Sequence, residues 1–147
     1  MSKSINYCAN KILGNWPITN MQFLKKNKKS IFILGPDSKM LVRDALTSND
    51  FFYFNPKKKG ILWNFEIIFF TLIYFLQFLT IKSSLKSLIK SAYLTALINV
   101  TAKEVAITAI DNNVHYWRAA RILHKKLRFI TIQNGTKFYS HKTFFSN

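Results

Sequence analysis

The chain has 147 residues, enough for one domain with a hydrophobic core and too few for two domains of ordinary size. Its formal net charge is +16, from 22 Lys or Arg against six Asp or Glu. A single cysteine, Cys8, excludes a disulfide framework, and the spacing of the three histidines predicts no metal site.

The basic charge is spread evenly. Residues 1–60 and 61–147 each carry eleven Lys or Arg and three Asp or Glu. Eighteen of the bases are lysine, and Asn, Ile and Phe are also frequent, which is the composition that AT-rich codons produce. Base composition therefore explains much of the charge, and attraction to a polyanion or to an anionic membrane surface is the alternative. Nucleic-acid binding is not expected, because the aromatic residues lie in apolar runs and not between basic residues.

The first predicted elements alternate between strand and helix. Residues 1–24 show no clear period, and weak order is expected there. The apolar run 30–34 predicts a strand, Asp37 or Ser38 is positioned to cap a following helix, and the run 51–54 predicts a second strand. Because the N-terminus has no apolar run of signal-peptide length, the expected location is cytoplasmic, with the inner face of the cytoplasmic membrane as a variant.

The segment 61–81 is nearly long and apolar enough to cross a bilayer, yet it contains Asn64, Glu66 and Gln77. Three interpretations stay open: a helix of the protein core, a helix lying in a membrane surface, and a transmembrane span. Residues 83–99 then predict an amphipathic helix, with apolar residues spaced by three and four.

The most informative pattern is a β-α-β unit near the C-terminus. An apolar run at 105–110 ends in a polar turn, a helix is predicted over 114–125, and a second apolar run begins at Arg128. The separation is too long for a hairpin, so the two strands should be parallel and both following turns should meet at one edge of the sheet. The whole chain is therefore predicted to be a single α/β domain, with a Rossmann-like open parallel sheet and flanking helices.

The two turns at that edge hold the candidate site. Asp111 is a candidate general base or hydroxyl-binding carboxylate, and Gly135 allows a ligand to approach the backbone. Helix capping and turn formation are the alternative roles of the polar residues. The other candidate substrate-binding residues are Asn112, Asn113, His115, Gln133, Asn134 and Lys137.

These motifs resemble a known family. Ile110-Asp-Asn-Asn113, the aromatic pair Tyr116 and Trp117, and Ile132-Gln-Asn-Gly135 are similar to the N-terminal region of bacterial surface-carbohydrate (capsule and lipopolysaccharide) biosynthesis proteins. Those proteins are distantly similar to glycosyltransferases of the GT-B architecture and to polyglycerol-phosphate polymerases. The likeness is best over residues 93–139. Where the family commonly has an arginine after Gln-Asn-Gly, this chain has Thr136-Lys137.

The resemblance implies the N-terminal, acceptor-side half of a GT-B-like architecture, in which Asp111 orients or deprotonates an acceptor hydroxyl. It implies a carbohydrate or lipid-linked acceptor, no cofactor bound by this chain, and a nucleotide-activated sugar held by a C-terminal half or partner subunit. Alone, the chain is expected to be an incomplete glycosyltransferase-like or glycerophosphotransferase-like catalyst: a fragment, a split subunit or a pseudo-enzyme. The alternative is a small, basic, non-enzymatic membrane-associated protein anchored through 61–81.

Overall fold

The computed structural model describes residues 21–25, 28–35, 38, 51–55, 60–109 and 113–132. The strands are β1 (Met21–Phe23), β2 (Lys29–Leu34), β3 (Phe51–Phe54), β4 (Ile61–Trp63), β5 (Ala102–Thr108) and β6 (Arg128–Thr131). The helices are α1 (Phe65–Phe78), α2 (Leu85–Thr101) and α3 (Val114–Leu123).

Four parallel strands form the main sheet, in the order β3, β2, β5, β6. Their registers set Ile33 beside both Tyr53 and Ile107, and Ile107 beside Ile130. The prediction that β5 and β6 run parallel, with a helix between them in the chain, is confirmed. The fold is α/β, with a Rossmann-like open parallel sheet flanked by helices.

The order of the strands reverses at β2. The chain adds β3 on one side of β2, and it later returns to place β5 and then β6 on the other side. Open α/β sheets bind ligands outside the carboxyl ends of their strands, at the point where the strand order reverses. Here that point lies between Leu34 and Thr108, the last residues of β2 and β5, which are partners in the register.

Helix α2 forms the centre of the core. Residues 91–102 are all buried, because α2 packs against α1, α3 and the sheet. Its buried hydroxyls donate to the carbonyl one turn earlier at 2.6 to 2.8 Å, as seen at Ser91, Thr95 and Thr101. The prediction of an amphipathic helix fits the first turns, where Lys86 is exposed. It is wrong beyond Ser91, since neighbouring elements enclose the helix on every side.

The segment 61–81 is not one helix. Ile61–Trp63 forms β4, and the Asn64 side chain then caps α1 by accepting a hydrogen bond from the Ile67 amide at 2.7 Å. Helix α1 has 14 residues and buries Ile67, Tyr74 and Phe78. Within the described residues, no helix combines the length and the apolar character that a membrane crossing needs. The interpretation of 61–81 as a transmembrane span is therefore wrong.

A second, two-stranded parallel sheet joins β1 to β4, with Gln22 opposite Leu62. No element is predicted from the sequence at Met21–Phe23, because these three exposed residues carry no periodic signal. The buried Tyr93 of α2 connects this sheet to the core through hydrogen bonds. Its hydroxyl accepts a hydrogen bond from the Leu62 amide at 2.8 Å and donates to the Leu62 carbonyl at 3.0 Å. A side chain thus replaces the neighbouring strand that β4 lacks on this side among the described residues.

Candidate functional site

The carboxyl edge of the main sheet brings the ends of β5 and β6 side by side. Thr108 pairs with Thr131, and the Ile132 amide extends the ladder by donating to the Thr108 carbonyl at 2.8 Å. The two strands therefore leave the sheet at the same edge, as the predicted site requires. Six of the candidate residues lie outside the described residues: Asp111, Asn112, Gln133, Asn134, Gly135 and Lys137. Their roles stay predictions.

Asn113 occupies the cap position of α3. Its backbone is extended, and its side-chain oxygen accepts hydrogen bonds from the amides of His115 at 3.1 Å and Tyr116 at 3.2 Å. These amides belong to the first turn of the helix, where amides lack a carbonyl four residues earlier in the helix, and the Tyr116 amide also donates to the Asn113 carbonyl at 3.0 Å. The oxygen of Asn113 is thus used to start α3, which is the capping role that the sequence left open for this turn.

His115 is held in one orientation by Ser91 of α2. The His115 Nδ1 atom lies 2.9 Å from the Ser91 hydroxyl oxygen, which also accepts from Arg118 Nη1 at 3.1 Å. The same hydroxyl donates its only proton to the Ser87 carbonyl at 2.8 Å. With the Ser91 proton on the Ser87 carbonyl, the assignment that fits all three contacts has Nδ1 protonated and donating to Ser91. The lone pair of neutral His115 is then on Nε2, which is able to accept a proton or a hydrogen bond.

The charges around His115 favour its neutral form. Burial lowers the pKa of His115, and the positive charges of Arg118 and Lys90 lower it further. Burial and the neighbouring Lys86 also lower the pKa of Lys90. Arg118 is fixed by donating to the Ser87 hydroxyl at 2.9 Å. A half-buried imidazole and two cationic side chains thus come together where α2 and α3 begin, and a phosphate or carboxylate would be attracted to this place.

Ser38 joins the two strands at which the strand order reverses. Its buried hydroxyl donates to the Leu34 carbonyl at 2.6 Å and accepts from the Ala109 amide at 2.6 Å. Gly35 has φ of 87°, a conformation that glycine adopts without a steric cost, and its amide donates to the Phe54 carbonyl at 2.9 Å. These contacts fix the carboxyl ends of β2, β3 and β5 relative to one another.

The sequence pattern predicts Ser38 only as a helix cap, and it gives no signal for Ser91 or Arg118. In the sequence, Gly35-Pro36 ends the apolar run 30–34, and this was the available signal for Ser38. Nothing in the sequence indicates that β5 lies beside β2, which is what gives Ser38 its second partner. Ser91 and Arg118 become partners of the site only through the packing of α2 on α3.

Helix α3 is tied to both strands that flank it in the chain. The fully buried Tyr116 hydroxyl donates to the Ala106 carbonyl of β5 at 2.6 Å and lies 2.9 Å from the Ile130 carbonyl of β6. Burial raises the pKa of Tyr116, so the hydroxyl keeps its proton. The aromatic ring also contacts Phe129 of β6, with the ring centroids 5.3 Å apart.

Among the residues that the structure describes, no three His, Cys, Asp or Glu side chains come together as ligands for a metal ion. Comparison of the chain with protein-family models, with curated proteins and with solved structures gave no match.

Proposed function

We propose that this protein is the acceptor-side domain of a transferase of bacterial surface-polysaccharide biosynthesis. The observation that supports the proposal best is the position of His115 at the start of α3, beside the carboxyl ends of β5 and β6, with Nδ1 bound to Ser91 at 2.9 Å. In this proposal, Nε2 of the imidazole accepts a hydrogen bond from a hydroxyl group of the ligand. Arg118 and Lys90 supply positive charge next to it.

In this proposal Asp111 orients or deprotonates the acceptor hydroxyl, and His115 accepts a hydrogen bond from the same acceptor. The amides of Gln133 and Asn134 bind further hydroxyl or phosphate oxygens, and Lys137 adds a positive charge. These roles follow the resemblance and the convergence of the two strand ends. A carbohydrate or lipid-linked acceptor is the expected ligand, and a lipid-linked one would locate the protein at the inner face of the cytoplasmic membrane.

Transfer also needs an activated donor. The resemblance assigns the nucleotide-activated sugar to a second, C-terminal domain, either in the same protein or supplied by a partner. The domain described here would then select and position the acceptor. Its own chemistry would be the removal of a proton from the acceptor hydroxyl, with Asp111 as the base.

A binding experiment tests the acceptor site without the donor domain. sn-Glycerol 3-phosphate carries both hydroxyl and phosphate groups, and its binding to the full chain is measurable by NMR titration. We expect His115→Gln to weaken binding by up to about tenfold, which corresponds to the loss of roughly one hydrogen bond between neutral groups. His124→Gln is the matched control, because His124 caps the opposite end of α3 and is exposed.

Equal binding by the wild-type protein and both variants would contradict the proposal. Equal weakening by both substitutions would also contradict it, because binding would then reflect the general positive charge. In a protein that also contains the donor domain, we expect Asp111→Asn to reduce turnover strongly while leaving the thermal midpoint nearly unchanged. A lowered midpoint with unchanged turnover would assign Asp111 to helix capping.

A further inference from the structure

The outer face of α1 is apolar and exposed. Phe65 is 80% exposed, Leu72 is 61% exposed and Leu76 is 64% exposed. The remaining exposed apolar side chains on or next to this helix are Ile68, Phe69 and Leu79. Their spacing of three and four residues forms a continuous stripe, and we call this set the α1 stripe. Monomeric domains rarely expose a continuous apolar surface of this kind unless it binds something.

The α1 stripe continues into an apolar groove. Ile68 and Leu72 of the stripe line this groove together with Met21 and Trp63 of the small sheet. The groove has a volume of about 210 Å³. Met21 is itself 57% exposed, so the apolar surface extends from the helix onto β1. A flexible apolar chain, such as a lipid acyl chain, matches the apolar lining of this groove.

A basic recess opens at the beginning of α1. It has a volume of about 410 Å³, and its lining includes Lys28, Lys126, Glu66 and Phe69 of the stripe. The Lys126 ammonium donates to the Asn99 side-chain oxygen at 2.6 Å, which directs it into this region. Partial burial lowers the pKa of Lys126, and the charge of Lys28 lowers it further. Two ammonium groups and one carboxylate leave the recess with an excess positive charge.

The positive charge of the described residues favours an anionic partner for the α1 stripe. The described residues contain twelve Lys or Arg and two acids, Glu66 and Glu104. A second copy of the chain would bring like charges together, whereas an anionic surface would be attracted. Apolar side chains beside lysines are also the combination by which proteins lie in the interface of anionic bilayers.

We propose that the α1 stripe docks on an anionic phospholipid surface, with the stripe and groove among the acyl chains and a lipid phosphate between Lys28 and Lys126. This face is separate from the ends of β5 and β6, and the inference does not depend on the acceptor-side function. The helix lies along the membrane surface in this arrangement.

Co-sedimentation of the full chain with vesicles tests the inference. Vesicles of phosphatidylcholine with phosphatidylglycerol should bind the wild-type protein at least tenfold more tightly than vesicles of phosphatidylcholine alone. Leu72→Glu and, separately, Leu76→Glu should each weaken binding to the anionic vesicles at least tenfold. Val114→Glu is the control, because it adds the same charge at an exposed apolar residue of α3. Circular dichroism establishes that each variant is folded.

The lysines are tested in the same assay. Lys28→Gln should weaken binding to the anionic vesicles more than Lys86→Gln, which removes one charge outside the recess. Equal effects of Leu72→Glu and Val114→Glu, or equal binding to neutral and anionic vesicles, would overturn the inference. A dimer in analytical ultracentrifugation that Leu72→Glu disperses, with no binding to vesicles, would identify a second copy as the occupant instead.

Discussion

Replacing Tyr93 by Phe isolates the contribution of one hydroxyl to the attachment of the small sheet. Tyr93 is 7% exposed, and its hydroxyl bonds both the amide and the carbonyl of Leu62. The substitution leaves the Leu62 amide and carbonyl without this partner, in a place where Leu62 itself is 4% exposed. A buried donor that loses its partner costs about 1 to 3 kcal/mol.

We expect Tyr93→Phe to reduce the free energy of unfolding by about 2 kcal/mol. For a chain of this length the thermal midpoint should fall by about 4 to 8 °C, which differential scanning calorimetry resolves. Burial raises the pKa of Tyr93, so the hydroxyl stays protonated and the loss should not vary across neutral pH. Hydrogen exchange at the Leu62 amide should accelerate in the variant, because this amide loses its acceptor.

Tyr74→Phe is the matched control. Tyr74 is also 7% exposed, and its hydroxyl makes no hydrogen bond within the described residues. We expect this variant to lose clearly less stability. Equal losses in the two variants, or unchanged exchange at the Leu62 amide in Tyr93→Phe, would show that the hydroxyl of Tyr93 does not hold β4 in place.

Three further substitutions test the carboxyl edge. Ser38→Ala should cost about 1 to 3 kcal/mol in urea denaturation, because the buried Ala109 amide loses its acceptor. Asn113→Ala should cost about 1 kcal/mol in the same assay, because α3 loses its cap, and Asn113→Asp should retain most of the stability. His115→Gln should remove part of the acid sensitivity. The folded pKa of His115 is lowered, so the unfolded chain binds the proton more tightly, and wild-type stability should fall as pH decreases below about 6.5.

A Ser38→Ala variant as stable as the wild type would mean that the Ala109 amide finds another acceptor. Equal stability of the Ala and Asp variants at position 113 would show that the side-chain oxygen contributes nothing to α3. If wild type and His115→Gln lose stability in parallel as the pH falls, His115 is not the group that titrates.

The β-α-β unit could be predicted because the residues that determine it are close together in the sequence. The apolar runs at β5 and β6 are short, each ends in polar residues, and the intervening spacing allows only a crossover connection. The predicted helix over 114–125 agrees with α3, Val114–Leu123, within two residues. Asn113 and His115 could be selected for the same reason, since both stand at the boundary between strand and helix.

Features that depend on distant contacts could not be predicted. The hydrophobicity of Ile61–Trp63 is continuous with that of α1, and only pairing with β1, forty residues earlier in the register, makes it a strand. The burial of α2 on every side likewise depends on where α1 and α3 pack. At the site, the partners of His115 and Ser38 come from other elements, so the sequence suggested single residues and not the hydrogen bonds that position them.

The bond of Tyr116 to the strand carbonyls limits how the carboxyl edge can respond to a ligand. His115 precedes Tyr116 directly, so a displacement of the first turn of α3 would pull a buried hydroxyl away from the Ala106 carbonyl. Helix α3 and strands β5 and β6 should therefore behave as one rigid platform. The imidazole of His115 should then keep a constant position relative to the two strands.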